Sequence, residues 1–253
     1  MRKRLIAIPA LVLTLALCLA PSLAAAADLT VSAAASLTDA FKVLKTAFEK
    51  ANPGTTVITN FGASGALLRQ IENGAPVDVF ASADQKTMDQ AASKSLIVPA
   101  TRVNFVQNGI VLVQPADSKV LVKSIADLTK PDVKRIAFGN PATVPAGSYT
   151  REALINAKLW DVLQAKLVPA ESVRQTLDYV TRGEVDAGFV FATDAKIAGA
   201  KVRFVQDAAT TTKVTYPIAV IATSKNPKAK AFVDFIAGAE GQKVLQSFGF
   251  KKP

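Results

Sequence analysis

Four short segments of the chain place small residues and serine immediately before helix-forming sequence. They are residues 33–39 (AAASLTD), 61–66 (FGASGA), 144–149 (VPAGSY) and 169–173 (PAESV). The first N–H groups of a helix have no acceptor within the helix, and the helix dipole adds about half a positive charge there. Small side chains let a ligand approach the backbone, and serine adds a hydroxyl donor. Four such helix starts facing one cleft would form a cage of neutral donors for an oxyanion.

The first two segments offer donors without a basic side chain, because Lys and Arg are absent from residues 29–41 and 55–68. Such a site favours an anion that carries no proton at neutral pH, such as sulfate or molybdate, over hydrogen phosphate. Ordinary helix capping is the competing interpretation of each segment taken alone. For the first segment it predicts Ser36 as the N-cap, with Asp39 three residues later close to a capping-box pattern.

Residues 62–66 (GASGA) also resemble the nucleophile elbow of hydrolases, although the final glycine of that motif is missing. The 253-residue chain contains no histidine, so Ser64 has no usual base to activate it. The lack of histidine also excludes Cys–His catalysis and His-ligated zinc. The single cysteine, Cys18, excludes an internal disulfide and a Cys-rich metal site. We therefore expect a protein that is not an enzyme and carries no cofactor.

Strands and helices alternate along the chain. Apolar residues recur at helical spacing over 37–50, and an Asn-Pro-Gly sequence ends that helix. Further helices are predicted over 66–72, 85–93, 149–157, 172–182, 228–236 and 241–246, and strands over 29–34, 55–60, 77–81, 109–114, 135–138, 187–191 and 218–222. This alternation predicts an α/β protein with parallel sheets covered by helices, built as one large sheet or as two smaller ones.

The first residues have the three-part organisation of a secretory signal peptide. A basic segment over 2–4 precedes an apolar run over 5–20, and small residues follow at 24–27. Cleavage is expected near Ala26, which predicts a soluble periplasmic protein secreted through the inner membrane. A membrane anchor is the alternative, but the apolar run is short for a spanning helix and ends in small residues.

The chain is basic, with 30 Lys and Arg against 20 Asp and Glu and a formal net charge of +10. The basic residues are scattered, and no arginine-rich or aromatic-interleaved tract indicates a nucleic-acid partner. A solvated surface explains this distribution, while the excess positive charge would speed the arrival of an anionic ligand.

The string AAASLTDAF over 33–41 resembles the N-terminal signature of the periplasmic molybdate-binding proteins, the substrate-binding subunits of ABC-type molybdate importers. The likeness extends over essentially the whole mature chain. It continues in the strings at 62–65, 70–80, 81–84, 144–147, 188–195, 216–220 and 249–250.

The resemblance implies a two-lobed type II periplasmic binding protein, in which each lobe is a mostly parallel sheet flanked by helices. After the signal peptide over 1–26, it implies a first lobe formed by 27–110 and 217–253 and a second lobe formed by 111–216. The chain would cross between the lobes near Ile110 and near Tyr216.

The resemblance also implies the ligand, which is molybdate or tungstate held between the lobes. By motif match, Ser36 and Ser64 give hydroxyl and backbone N–H donors, and Ala146 and Val173 give backbone N–H donors. These four residues would surround the metal atom through the oxygens of the anion. Family members carry a tyrosine at the position of Phe191, whose ring offers no donor. Tyr149 or Tyr216 could supply a substitute hydroxyl.

The partners implied are the oxyanion and the membrane permease of an ABC importer, with the binding protein itself a monomer. A sulfate- or thiosulfate-binding transport protein is the main alternative, because it would share the donor cage and differ in cavity size. A ferric-ion-binding protein would need clustered tyrosines, and a periplasmic hydrolase would need an activated nucleophile. A regulator's effector-binding domain would carry a DNA-binding module and no signal peptide.

Overall fold

The computed structural model describes residues 28–253, so the predicted signal peptide over 1–26 and its cleavage near Ala26 lie outside the described residues. The strands are β1 (Leu29–Ala34), β2 (Val57–Gly62), β3 (Val79–Ala81), β4 (Val103–Gln107), β5 (Ile110–Pro115), β6 (Ile136–Gly139), β7 (Leu167–Ala170), β8 (Ala187–Phe191), β9 (Val202–Ala208) and β10 (Thr215–Val220). The helices are α1 (Thr38–Ala51), α2 (Ser64–Glu72), α3 (Gln85–Ser93), α4 (Pro145–Asn156), α5 (Trp160–Leu163), α6 (Val173–Thr181), α7 (Ala192–Ala198), α8 (Ala229–Ala237) and α9 (Ala239–Ser247). None of the helices in the described part is long and apolar enough to cross a membrane.

The first sheet has the strand order β2-β1-β3-β10-β4. Its strands run parallel except β10, which is antiparallel to both of its neighbours. Helices cover both faces because successive residues of a strand point to opposite sides. In β3, Val79 packs into the cluster under α1 and α8, whereas Phe80 packs into the cluster under α2 and α3.

The second sheet has the order β7-β6-β8-β5-β9, in which β5 is antiparallel to its neighbours β8 and β9. Helix α6 packs on β6 and β8, and α4 packs on the same two strands. The two sheets therefore repeat one arrangement, with a single reversed strand next to an edge. The predicted α/β fold with two mostly parallel, helix-flanked sheets is confirmed.

Two chain segments connect the sheets. The first is Asn108-Gly109 between β4 and β5, and the second covers 209–214 between β9 and β10. The Asn108 N–H donates to the Val214 carbonyl at 2.9 Å, which holds the two connections side by side. The predicted lobe limits at 110 and 217 stay a prediction. Ile110 pairs within the second sheet and Tyr216 within the first.

Candidate anion-binding site

A small cavity lies between the two sheets, with about 10 Å³ of space for the centre of a water-sized sphere. Its walls consist mostly of small side chains: Ala34, Ala35, Ser36, Gly62, Ala63, Ser64, Ala83, Val144, Pro145, Ala146, Val173 and Phe191. All five residues that the sequence predicts for the site are in this set, and each is at most 3% exposed. Pockets for organic ligands measure about 300–1,000 Å³, so this cavity suits a smaller ligand.

Four helix starts meet at the cavity. Ser64 is the first residue of α2, Val173 is the first residue of α6, and Ala146 is the second residue of α4. Ser36 lies in the single 3₁₀ turn Ala35–Leu37 that leads into α1. Backbone N–H groups in these positions have no acceptor inside their helix. The cavity is therefore bordered by N–H donors and by the positive ends of helix dipoles.

Helix α4 reaches the cavity because its first turn packs directly on the end of β6. A Cβ atom at Gly147 would lie 1.8 Å from the carbonyl oxygen of Gly139, so only glycine allows this approach. Any side chain at position 147 would push the N-terminus of α4, and with it Ala146, away from its place.

Neither cavity serine caps a helix. The N-cap of α1 is Leu37 and that of α2 is Ala63, and neither makes a side-chain cap. The prediction that Ser36 is the N-cap is wrong, because a 3₁₀ turn places it one residue too early and its hydroxyl turns to another partner. Ordinary capping does describe the fourth segment, where the Ser172 hydroxyl accepts from the Gln175 N–H.

The two serine hydroxyls are instead held by groups behind the cavity. The Ser64 hydroxyl accepts a hydrogen bond from the Ala83 N–H at 3.0 Å. This is its one hydrogen bond among the described residues, so its proton is free to be donated to a ligand. The Ser36 hydroxyl lies 2.9 Å from the Tyr216 hydroxyl, a buried contact.

Phe191 forms an apolar wall, and its ring packs against Tyr216 with 5.5 Å between centroids. Neither predicted substitute donor lies in the cavity wall, which within residues 28–253 includes neither Tyr149 nor Tyr216. Burial raises the pKa of Tyr216 well above its usual value, so its hydroxyl stays protonated and can donate.

Two contacts join the sheets beside the cavity. On one side, the Gly65 N–H donates to the Thr143 carbonyl at 3.0 Å. On the other, Arg174 of α6 lies 2.7 Å from carboxylate oxygens of both Asp39, on α1, and Asp194, on α7. These distances are those of ion pairs, although the angles are poor for hydrogen bonds. The lobes are thus closed over the cavity.

One carboxyl group of these ion pairs, that of Asp194, has a shifted pKa. Burial raises the pKa of the Asp194 carboxyl to about 6, although the neighbouring Arg174 opposes the shift. Arg174 is neutralised by its two carboxylate partners, so the cavity depends on backbone and hydroxyl donors rather than on a free cation. Residues 28–253 contain no group of three or more His, Cys, Asp or Glu side chains that could hold a metal ion directly.

The sequence did not predict the contacts that support the site. Arg174 lies inside the helix predicted over 172–182, and pairing across the cleft leaves no local pattern in the sequence. Asn108, whose side-chain nitrogen contacts the Tyr216 hydroxyl at 3.2 Å, lies in an Asn-Gly turn signal that indicates a connection but no function. The strings around Ser64 and Tyr216 supported the resemblance, yet nothing in them shows which hydroxyl meets which.

Known proteins are similar to this chain. The family model described as bacterial extracellular solute-binding protein matches residues 29–251. The chain belongs to this family. The molybdate-binding protein ModA of Escherichia coli (strain K12) is 40% identical over 239 residues, which cover 90% of this chain and 91% of the relative. ModA of Haemophilus influenzae is 36% identical over 233 residues, covering 90% and 92%.

A solved structure agrees with the fold of this solute-binding protein. The periplasmic molybdate-binding protein of Azotobacter vinelandii superposes with a TM-score of 0.79 at 25% identity, over 89% of this chain and 99% of that chain. The predicted resemblance and the type II periplasmic binding protein fold are confirmed. The roles of the five predicted site residues remain predictions.

Proposed function

We propose that this solute-binding protein captures molybdate, and also tungstate, in the cavity between its lobes and delivers it to the membrane permease of an ABC importer. The observation that carries the proposal is that four helix starts meet at one closed cavity, together with two serine hydroxyls that do not cap a helix. Relatives at 36–40% identity that bear the name molybdate-binding protein support the choice of ligand.

The donors of the cavity favour anions that carry no proton over anions that carry one. The cavity wall contains no carboxylate within the described part of the chain, so a bound anion meets N–H and O–H donors and apolar side chains. Molybdate carries no proton at neutral pH and uses all of its oxygens as acceptors. Hydrogen phosphate carries a proton that would be buried without an acceptor, a loss of about 1–3 kcal/mol.

The expected affinity follows from the size of the ligand. Molybdate has five heavy atoms, and small ligands gain at most about 1.5 kcal/mol per heavy atom, which corresponds to roughly micromolar binding. Hydrogen bonds to a charged acceptor contribute about 1.5–3 kcal/mol each and can exceed that ceiling in a closed cavity. Selection against sulfate depends on its smaller radius, because a cage set for a larger anion holds it loosely.

The proposal includes binding without catalytic turnover, action as a monomer and no cofactor. The Ser64 hydroxyl faces a backbone N–H and the Ser36 hydroxyl faces a tyrosine, so neither meets a base that could activate it. The basic and apolar N-terminal segment supports export to the periplasm by a cleavable signal peptide. Steady hydrolysis of a sulfate or phosphate ester that disappears in Ser64→Ala would contradict the absence of turnover.

A thermal-shift series on residues 27–253 tests the ligand. Molybdate and tungstate should raise the melting temperature much more than sulfate or phosphate at equal concentration, because a ligand stabilises the state it binds. The rise should shrink in Ser64→Ala and persist in Ser93→Ala, which removes an exposed hydroxyl at the end of α3. Equal shifts for sulfate and molybdate would contradict the proposal and favour a sulfate-transport protein.

A further inference from the structure

The Tyr216 hydroxyl is the centre of a buried chain of side-chain hydrogen bonds behind the cavity. The chain begins at Asn108, in the first connection between the sheets. The amide nitrogen of Asn108 lies 2.9 Å from the Thr193 hydroxyl and 3.2 Å from the Tyr216 hydroxyl. The Tyr216 hydroxyl in turn lies 2.9 Å from the hydroxyl of Ser36, which lines the cavity.

The chemistry of the groups gives this chain one direction. The Asn108 side-chain oxygen accepts from the Gly109 N–H at 2.9 Å, which orients the amide so that its NH₂ faces the two hydroxyls. An NH₂ group can only donate, so the Tyr216 oxygen is the acceptor of that bond. Among residues 28–253 the Ser36 oxygen is the one acceptor within reach of the buried Tyr216 proton, so Tyr216 donates to Ser36 and the Ser36 proton remains for a ligand in the cavity. Each donor in such a chain polarises the next.

Tyr216 itself stays out of the cavity. Its ring is completely buried and packs against Phe105, Phe191 and Phe250, with centroids 5.5–6.4 Å apart. The ring contacts therefore fix where the hydroxyl lies, and the hydroxyl fixes where Ser36 points. A serine side chain without such a partner can rotate among three staggered positions.

We propose that Tyr216 is a positioning residue for anion binding, which aims and polarises the Ser36 hydroxyl through its own hydroxyl and does not touch the anion. The inference rests on the proposed function, because it concerns how the same cavity holds its oxyanion. It also accounts for the apolar wall at Phe191. The Tyr216 hydroxyl, which lies outside the cavity, strengthens the Ser36 hydroxyl as a donor instead of contacting the anion itself.

A double-mutant cycle with Tyr216→Phe and Ser36→Ala tests the proposal. Calorimetry with molybdate should show binding weakened about fivefold by Tyr216→Phe and about tenfold to a hundredfold by Ser36→Ala. The double variant should bind as Ser36→Ala does, because Tyr216 acts through the Ser36 hydroxyl. If Tyr216 had only a structural role, Tyr216→Phe would weaken binding equally when residue 36 is alanine.

The matched control is Tyr149→Phe, which removes another buried tyrosine hydroxyl outside this chain of bonds and should leave affinity unchanged. Unfolding of each ligand-free variant in denaturant separates stability from affinity. If Tyr216→Phe does not fold, Asn108→Ala, which removes the preceding donor, replaces it in the cycle with the same expected coupling.

Three outcomes would overturn the inference: additive losses in the double variant, unchanged affinity in Tyr216→Phe, or an equal loss in Tyr149→Phe. A wild-type protein that binds sulfate as well as molybdate, with the coupling intact, would overturn the proposed ligand and leave the positioning role standing. A wild-type protein that binds neither anion would overturn both.

Discussion

Replacement of Gly65 by alanine should block closure of the lobes while leaving each lobe folded. Gly65 is the second residue of α2, next to Ser64, and its backbone is not in the left-handed region that requires glycine. A Cβ atom there would lie 2.8 Å from the carbonyl oxygen of Thr143 and 3.0 Å from its Cα atom, where ordinary contact begins at 3.4 Å. Both atoms belong to the backbone of the opposite lobe, so no side-chain rotation relieves the clash.

The size of the effect follows from these contacts. The closed state loses the Gly65 N–H bond to Thr143, worth about 1 kcal/mol, and overpacking adds about 1–3 kcal/mol. Together these weaken anion binding roughly thirtyfold to several hundredfold. If the lobes separate when no anion is bound, the ligand-free protein escapes the clash. Its stability should then be unchanged or up to about 1 kcal/mol higher, because alanine favours a helix over glycine.

Calorimetry with molybdate measures the affinity of Gly65→Ala, and denaturant unfolding without ligand measures its stability. Thr143→Ala is the matched control, because the contact uses only the backbone of Thr143 and should survive that substitution. Gly65→Ala that binds within twofold of the wild type would refute the reasoning, since the lobes would then hold the anion without this contact.

Three further outcomes are expected. Ser64→Ala should weaken molybdate binding about tenfold to a hundredfold in calorimetry, because it removes one charge-assisted hydroxyl donor and keeps the backbone N–H. Phe191→Tyr should leave binding unchanged or strengthen it by up to about tenfold, because it adds a donor to an apolar wall; weakening above tenfold would show that another group occupies that space. Because burial raises the pKa of Asp194 to about 6, the native state binds its proton more tightly than the unfolded state. The unfolding free energy of the wild type should therefore fall relative to Asp194→Asn, by up to about 3 kcal/mol, as the pH rises from about 4 to about 7. If denaturant unfolding shows the same dependence of the unfolding free energy on pH in the wild type and in Asp194→Asn, this prediction is contradicted.

The sequence predicted the elements with strong local patterns. The helix predicted over 85–93 matches α3, where Asp84 caps the first turn, and the strand predicted over 187–191 matches β8. It missed β4, β7 and β9 because edge strands alternate exposed and buried residues weakly, and β7 also contains Pro169. Helix α7 was missed because it follows β8 without an intervening turn residue.

The candidate site could be predicted as far as its helix starts, because small residues and serine before a helix are a local pattern. The structure brings the predicted residues to one cavity, as the family resemblance implies. The supporting contacts could not be predicted, since Tyr216 meets Ser36 across 180 residues and Arg174 pairs with Asp39 from the opposite lobe. Such contacts depend on how the two sheets close and leave no spacing to detect.

The most direct test of the account is a crystal structure of the protein grown with molybdate, with diffraction data collected at the molybdenum absorption edge. The account predicts one anomalous peak per molecule, in the cavity between the lobes, with its oxygens within hydrogen-bond distance of the Ser36 and Ser64 hydroxyls and of the Ala146 and Val173 N–H groups. A peak outside that cavity, or an anion held there by charged side chains instead of these donors, would contradict it.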